Sequence, residues 1–250
     1  MTREDFRPPR LFVEAPLAPD STVPLAANQA HYVLNVLRRN PGDAILVFNG
    51  REGEWLAKVE KAGKRGANLV VESRTRLQTE PADLHYLFAP LKHARLDYMV
   101  QKAVELGVSR LQPVITRYTQ VARLNLDRMR ANAVEAAEQC GILTLPEIRE
   151  PLDLARAVEQ LEPQRLLVFC DEGAEQPDPA AALAGRRGDQ GALPVAVLIG
   201  PEGGFNENER AALMLRPNVL QLSLGPRIMR ADTAAVAALS LVQAVMGDWR

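Results

Sequence analysis

The spacing of apolar positions changes near residue 80, and the change predicts two regions of different architecture. Before it, apolar and polar residues alternate in short runs that turn sequences separate. The strand-like runs cover residues 11–16, 44–50, 54–62 and 67–76. One helical period covers 28–39 and stops at Asn40-Pro41-Gly42. The pattern predicts a small β-rich domain over residues 1–77, a compact barrel with one helix.

After a polar, proline-containing linker at 78–83, apolar runs alternate with helical periods, which is typical of a parallel α/β sheet. Strands are predicted at 84–91, 110–116 and 165–170, and helices at 94–107, 126–140, 152–161 and 179–186. Pro113 interrupts the second of these strands and disfavours an interior ladder position there. The α/β domain is predicted to span residues 83–250.

Two stretches near the C-terminus, 195–209 and 219–235, share one pattern. Each begins as an apolar run, breaks at a Gly-Pro and then enters a helix. In the first, Asn206 and Glu209 have the spacing of a capping box. In the second, Asp232 or Thr233 can cap the last helix. Because ligands of open α/β sheets bind at the carboxyl ends of strands, both bends are expected to line one crevice.

The charge of the first bend limits the class of ligand that this crevice can bind. The chain has neither the GxxxxGK[ST] pattern of a phosphate loop nor the GxGxxG pattern of a dinucleotide loop. Glu202 lies among the glycines, where it would repel a phosphate and tolerate a cation or an amine. Apolar walls are expected from Leu198, Ile199, Leu222, Leu224 and Ile228. S-adenosylmethionine fits these requirements, because it joins an uncharged aromatic base to a positive sulfonium centre.

Composition indicates an ordinary globular chain, with 47% hydrophobic residues among 250. No apolar run approaches the roughly 20 residues of a membrane helix, and the first ten residues lack the apolar core of a signal peptide. Cys140 and Cys170 have no CxxC spacing, which favours a reducing cytoplasm. The three histidines show no metal-binding spacing, so no metal is predicted.

Basic residues are concentrated locally, although the formal net charge is −1. Residues 1–77 carry 12 basic and 9 acidic residues, and Lys92–Arg130 carries 8 basic and 3 acidic ones. Nucleic-acid binding would use these patches, and solvated helix faces are the alternative interpretation. The candidates for phosphate contact are Arg7, Arg10, Arg38, Arg39, Lys92 and Lys102.

The two bends carry a family resemblance. IGPEGGF followed by LGPRIMRADTA resembles the signature of the RsmE family, the 16S rRNA uridine-N3 methyltransferases of the SPOUT superfamily. The resemblance extends to QKAVELGV, EAAEQC, LPEI and, near the N-terminus, VLR, and so covers nearly the whole chain. In one departure, the arginine that commonly follows the EQxG segment is absent after Gly141, and Arg117, Arg123 or Arg149 would have to replace it.

The resemblance implies a SPOUT-type parallel sheet with a C-terminal trefoil knot, preceded by a PUA-like RNA-binding β-barrel. It implies a homodimer that binds S-adenosylmethionine in three loops, near 169–171, 198–204 and 222–233. The cofactor-binding residues expected on this basis are Phe169, Leu198, Gly200, Glu202, Gly203, Gly204, Leu222, Leu224, Gly225, Ile228 and Thr233. The substrate would be 16S rRNA or the small ribosomal subunit.

Methylation of uridine N3 requires the loss of a proton and leaves negative charge on the ring. Arg227 and Arg230 are the candidates for a stabilising cation or for RNA anchoring. Glu202 could orient the cofactor's amino group or the base, and Asp232 could cap a helix or take the proton. The alternatives are a SPOUT methyltransferase acting on another RNA, a non-catalytic ribosome-assembly protein that binds RNA, and an α/β enzyme acting on a small molecule.

Overall fold

The chain forms two compact units, one of them made from two separate segments. The computed structural model describes residues 8–63, 66–121, 123–175, 178–187 and 193–249, without the side chain of His93. The first unit is Met1–Glu80 with Ala137–Leu145, and the second is Pro81–Ala136 with Pro146–Arg250. The first boundary falls within the predicted linker at 78–83. The segment 137–145, however, packs in the first unit, whereas the sequence pattern assigned it to the α/β domain.

A five-stranded mixed sheet forms the first unit. Its strands are β1 (Arg10–Phe12), β2 (Thr22–Pro24), β3 (Ala44–Phe48), β4 (Glu54–Ala62) and β5 (Gly66–Arg76). Their order is β1-β3-β4-β5-β2, with β1 parallel to β3 and the other pairs antiparallel. In the part of the unit that the structure describes, no ladder joins β1 to β2. The described ladders therefore leave the predicted barrel open between its two edge strands, each of three residues.

The helical segment of this unit changes its winding midway. Helix α1 (Ala27–His31) continues into a π-helical turn, Tyr32–Val36, and Ala30 and Val33 from these two pieces pack into the core of the sheet. The helix predicted at 28–39 ends early because Arg38 adopts a left-handed backbone conformation, with φ of 53°.

Arg10 is a largely buried residue that bonds within the first unit, and its contact with RNA stays a prediction. Its Nε lies 2.7 Å from Glu54 Oε2, and the two side chains are only 11% and 5% exposed. Its remaining nitrogens donate to the carbonyls of Ala137, Glu138 and Ile142. A phosphate at this guanidinium would compete with these bonds, and Glu54 is also contacted by Arg76 at 3.7 Å and by the Thr75 hydroxyl at 2.9 Å.

The second unit is built on a seven-stranded parallel sheet. Its strands are β6 (Leu84–Phe88), β7 (Arg110–Ile115), β8 (Glu147–Ile148), β9 (Leu152–Asp153), β10 (Leu166–Cys170), β11 (Val195–Ile199) and β12 (Val219–Leu222). The order is β12-β10-β11-β6-β7-β8, β9 also pairs with β7, and every ladder is parallel. The strand-helix alternation of the sequence therefore predicts this sheet correctly.

Helices accompany the strands along the chain. They are α2 (His93–Glu105), α3 (Leu126–Cys140), α4 (Leu154–Glu159), α5 (Pro179–Ala184), α6 (Glu207–Met214) and α7 (Ala231–Val245). One core cluster joins Val158 of α4 and Leu213 of α6 to Leu167 and Leu198 of the central strands, while α2 and α7 pack against each other. Every residue of β11 is buried, as expected for a parallel strand covered on both faces. None of the described helices is long and apolar enough to cross a bilayer.

Strand β7 has neighbours on both sides, but at Pro113 itself only the ladder with β6 is formed, so an interior ladder position is avoided at this residue as expected. Leu111 accepts a backbone bond from Arg149 on the β8 side, and Pro113, two residues on, faces the same side. The ladders with β8 and β9 skip this position, so the missing N–H leaves no bond unmade. The side-chain amide of Gln112 fills the gap by donating to the carbonyls of Pro113 and Glu150, at 2.8 and 2.9 Å.

His85, in β6, is a buried histidine beside a buried cation. Its side chain is 6% exposed, and its Nε2 lies 3.5 Å from Asp83 Oδ1. Arg165 lies in the same cluster, 2.8 Å from Asp83 and 2.6 Å from Glu162. Burial, followed by the charges of Arg165 and Arg110, lowers the pKa of His85 to about 4.

The low pKa of His85 predicts acid sensitivity in mildly acidic solution. Between about pH 6.5 and pH 4 the unfolded chain binds a proton at this residue and the folded chain does not, so stability falls as the pH falls. We expect the free energy of unfolding at pH 5 to be about 2 kcal/mol lower than at pH 7.5. Urea denaturation should show that His85→Gln removes most of this slope and that His31→Gln, at an exposed position, does not. An unchanged slope in His85→Gln would contradict the assignment.

The return of β12 to the side of β10 away from β11 brings the last strand next to a strand much earlier in the chain. After it, α7 packs against β11 and α2. A trefoil knot depends on how the chain passes between these elements, and the knot stays a prediction of the family resemblance.

Candidate functional site

The carboxyl ends of β10, β11 and β12 surround a cavity of about 480 Å³. The segment that follows each strand lines it: residues 170–172 after β10, 200–202 after β11 and 223–229 after β12. Both Gly-Pro bends therefore face one opening, as the pattern of strand, bend and helix predicts. Parallel sheets bind ligands at this edge.

The first bend is held by an aromatic pair beneath it. A side chain at Gly200 would place its Cβ 2.6 Å from the Phe205 ring, so only glycine fits this turn. The Phe205 ring packs edge-on against Phe169, with centroids 4.9 Å apart. Helix α6 then begins with reciprocal bonds between Asn206 and Glu209, which confirms the predicted capping box.

Gly200→Ala is expected to displace the first bend and to weaken cofactor binding at least about tenfold, because the methyl group must move Phe205 or the turn. Isothermal titration calorimetry with S-adenosylmethionine measures the effect. Gly185→Ala is the matched control, because a Cβ there meets its nearest neighbours at 3.5 Å, an ordinary contact. Equal affinities for the two variants would show that the shape of this bend is not needed for binding.

Asp171 forms a hydrogen-bonded cluster in the lining of the cavity. Its carboxylate accepts two bonds from Arg210 of α6, at 2.8 and 3.0 Å, and one from Gln221 of β12, at 2.9 Å. Burial alone would raise the pKa of Asp171, but these bonds outweigh burial and hold it below its usual value. Burial raises the pKa of the neighbouring Cys170 to about 12, so this thiol is not a nucleophile near neutral pH.

Arg95 of α2 joins the carboxylates that follow the two bends. Its Nη1 lies 3.3 Å from Glu202 Oε1, and its Nε lies 3.8 Å from Asp232 Oδ2. Glu202 lines the cavity and its side chain is 47% exposed, whereas Asp232 is 17% exposed. The rim of the cavity therefore carries two carboxylates and one guanidinium within a short distance.

The second bend is more open than the first. Gly225 has φ of 103°, a Cβ added to it would have no atom within 4 Å, and Ile228 is 87% exposed. The N-cap of α7 is Arg230, without a side-chain bond, so the predicted cap by Asp232 or Thr233 is wrong. Both residues lie too far along the chain, inside the first turn, where the negative charge of Asp232 complements the helix dipole.

Most residues predicted to contact the cofactor line the cavity, and a minority do not. Those that line it are Gly200, Glu202, Gly204, Leu222, Leu224, Gly225 and Ile228. Phe169 and Leu198 are fully buried in the core, so they support the cavity without lining it. The remaining two, Gly203 and Thr233, are exposed next to lining residues. Of the two arginines predicted to act on the base, Arg227 lines the cavity and Arg230 is exposed next to lining residues. Gly203 faces Tyr118, whose Cβ lies 3.1 Å from the position of a Cβ on the glycine.

Three residues that shape the site are absent from the predicted site residues, although Asp171 falls in one of the predicted loops. Asp171 follows a buried strand directly, a position that could have marked it as part of the site. Arg210 and Arg95 carry no such signal, because their partners are 39 and 107 residues away along the chain.

The other RNA-binding candidates lie in different settings. Arg38 and Lys92 are exposed and Arg39 is half-buried. Lys102 is paired with Glu105, at 2.6 Å, so its charge is partly neutralised. Arg7 lies outside the described residues. In the described part of the chain, no cluster of three or more His, Cys, Asp or Glu is arranged to hold a metal ion.

A second cavity, of about 700 Å³, lies between α4 and α6. It is larger than the first, but neither Gly-Pro bend lines it. Size alone does not identify a ligand site, and the convergence of strand ends and bends selects the smaller cavity.

Family models match both parts of the chain. The model described as an RNA methyltransferase domain matches residues 78–243. The model described as an RNA methyltransferase PUA domain matches residues 25–72. The predicted fold class, a PUA-type β-rich region followed by an α/β methyltransferase domain, is confirmed by these matches and by the two sheets.

Relatives of this chain share one name. The ribosomal RNA small subunit methyltransferase E of a Synechocystis species is 31% identical, over 95% of this chain and 78% of the relative. The protein of that name from Rickettsia conorii is 28% identical over 94% of both chains.

Solved structures of similar proteins contain the expected cofactor. The enzyme of that name from Neisseria gonorrhoeae, bound to S-adenosyl methionine, is 26% identical, with a TM-score of 0.85 over 98% of this chain and 100% of that chain. A putative methyltransferase from Legionella pneumophila, in complex with the same cofactor, is 28% identical, with a TM-score of 0.82 over 95% and 98%. With its glycine-lined cavity at the strand ends, the chain belongs to the RNA methyltransferase family that includes ribosomal RNA small subunit methyltransferase E.

Proposed function

We propose that this protein uses S-adenosylmethionine to methylate N3 of a uridine in the decoding region of 16S rRNA, in the small ribosomal subunit. The observation that carries the proposal is the cavity that both Gly-Pro bends line. It belongs to a chain whose relative from Neisseria gonorrhoeae was crystallised with this cofactor. The uridine and its N3 atom follow from the family resemblance.

The cavity has the chemistry that the cofactor requires. Its volume of about 480 Å³ lies within the range of roughly 300–1,000 Å³ that small-molecule sites occupy. Ile199, Leu222, Leu224 and Ile228 offer apolar surface to an adenine ring. Glu202 is suited to a ligand with positive groups and opposes a polyphosphate. We assign cofactor contacts to the seven residues predicted to bind the cofactor that line the cavity.

The chain's own task in the reaction is to position the uracil ring and to manage one proton. Bound S-adenosylmethionine supplies an activated methyl group. Arg227 lines the cavity, and Arg230 lies between the lining residues Met229 and Ala231. Their guanidinium groups are available to stabilise the negative charge that develops on the uracil oxygens when N3 loses its proton. Asp232, at the rim, is the candidate for the proton acceptor.

The proposal includes the partners of the enzyme. Ile228 is 87% exposed beside the cavity, and a second copy of the chain in a homodimer would cover it. Arg38 and Arg39, which fall in the region that matches the PUA model, and Lys92 in the other unit are proposed phosphate contacts. Because its substrate is ribosomal, the enzyme would act in the cytoplasm.

The identity of the methylated nucleoside tests this function. Small subunits and free 16S rRNA from a strain lacking the gene are incubated with the protein and isotopically labelled S-adenosylmethionine, with tRNA as a parallel substrate. Mass spectrometry of the nucleosides is expected to find the label in 3-methyluridine of 16S rRNA. Label in tRNA or on a ribose would favour the second interpretation. RNA binding without any transfer would favour a non-catalytic assembly factor.

A further inference from the structure

Arg95 contacts acidic residues that follow both cofactor-binding bends, although it belongs to neither. It lies in the first turn of α2 and approaches Glu202 in the loop after β11 at 3.3 Å. It also approaches Asp232 in the first turn of α7, after the second bend, at 3.8 Å. One side chain therefore links Glu202, which lines the cavity, to Asp232, which directly follows the lining residue Ala231.

The backbone around Arg95 is anchored independently of this contact. Strand β6, which leads into α2, pairs with β11 along its whole length, and Ala89 extends the pairing by donating to the Ile199 carbonyl at 3.1 Å. Helix α2 also packs against α7. Arg95 thus extends from a fixed frame toward two loops, and removing its guanidinium leaves that frame in place.

The positive charge of Arg95 compensates the two carboxylates that it contacts. Glu202 and Asp232 both lie within 4 Å of the same guanidinium, so its loss removes the positive charge shared by two neighbouring carboxylates. The two negative charges then repel each other, and solvent and salt weaken that repulsion only in part. The loops would separate, and a cofactor that must contact both would bind more weakly.

We propose that Arg95 is a positioning residue that holds the two cofactor-binding loops together and thereby sets the affinity for S-adenosylmethionine. The proposal rests on the proposed function for the identity of the ligand. It assigns Arg95 an electrostatic action through Glu202 and Asp232 and no direct contact with the reacting atoms.

Calorimetric titration of S-adenosylmethionine tests this role. Arg95→Ala is expected to raise Kd about fivefold, the effect of two partly exposed ion pairs. Arg95→Lys, which keeps the positive charge, should lose less affinity for S-adenosylmethionine than Arg95→Ala. Adding Asp232→Asn to Arg95→Ala should recover part of the lost affinity, because the repulsion disappears, while Glu202 is left unchanged because it is a proposed cofactor contact. High salt should narrow the gap between Arg95→Ala and wild type.

Arg128→Ala is the matched control. Arg128 pairs with Asp97 at 2.9 Å on the surface of the same unit and touches neither bend, so its loss should leave Kd unchanged. Melting temperatures of all variants report whether each one folds.

The outcomes separate the inference from the function it rests on. If wild type binds S-adenosylmethionine and Arg95→Ala binds it equally well, Arg95 has no positioning role and the proposed function stands. If Arg95→Ala binds more weakly but adding Asp232→Asn does not restore affinity, the electrostatic role of Arg95 is overturned. If wild type does not bind the cofactor at all, the inference and the proposed function are both wrong.

Discussion

Arg230→Ala is expected to lower kcat for RNA methylation by about a hundredfold or more and to leave the Kd for S-adenosylmethionine within about twofold. Arg230 is exposed between two residues that line the cavity, so its side chain can reach a base presented there. Its loss removes a cation that stabilises the uracil ring as N3 gives up its proton. Single-turnover methylation of small subunits, with calorimetry of cofactor binding, measures both effects.

Two further variants determine whether Arg230 acts by chemistry or by RNA anchoring. Arg230→Lys keeps the charge but loses the planar guanidinium, and should recover part of the rate. Arg156→Ala, at an exposed position on α4, should have no effect. Normal transfer by Arg230→Ala would remove this residue from the mechanism. A loss of subunit binding with unchanged kcat would make it an RNA anchor only.

Asp171→Ala is expected to lower the free energy of unfolding by about 2 to 3 kcal/mol and to reduce cofactor binding severely. The buried carboxylate holds Arg210 of α6 and Gln221 of β12 at the end of β10, so its removal leaves both groups unpaired. The end of β10, strand β12 and helix α6 then lose their common attachment beside the cavity. Urea denaturation and calorimetry measure the two losses.

The effect of Asp171→Ala has a matched control, and the stability that Asp171 contributes depends on pH in a predictable direction. Asp127 also pairs with an arginine, at 2.9 Å, but its side chain is 94% exposed, so Asp127→Ala should change stability by less than about 0.5 kcal/mol. Because the folded pKa of Asp171 is lowered, its contribution is present above about pH 4 and is lost as the pH falls toward the folded pKa. Equal stability losses for the two alanine variants would contradict the role of Asp171.

Local signals in the sequence predict the parts of the fold that depend on local physics. The strand-helix alternation after residue 83 predicts the parallel sheet, because a strand covered on both faces needs a continuous apolar run, as in β11. The capping box of α6 follows from the spacing of Asn206 and Glu209 alone. The convergence of the two bends follows from a general rule about strand ends, which applies to any sheet of this class.

The sequence is silent where distant residues meet. The sequence around Arg10 does not distinguish it from a surface arginine, because its partners, Glu54 and backbone carbonyls after residue 136, are distant along the chain. Pro113 disfavours an interior ladder position, and the sequence does not show that β7 lies inside the sheet because the ladders with β8 and β9 skip this residue. Arg95 meets Glu202 from 107 residues away, and no periodicity within one element reports such a contact.

The central claim is that the two Gly-Pro bends together form the binding site of the methyl donor. A crystal structure of this protein grown with S-adenosylmethionine tests it most directly. We expect cofactor density against Gly200–Gly204 on one side and Leu222–Ile228 on the other, with the positive groups of the cofactor toward the carboxylates of the rim. Density in the cavity between α4 and α6, or contact with only one of the bends, would contradict it.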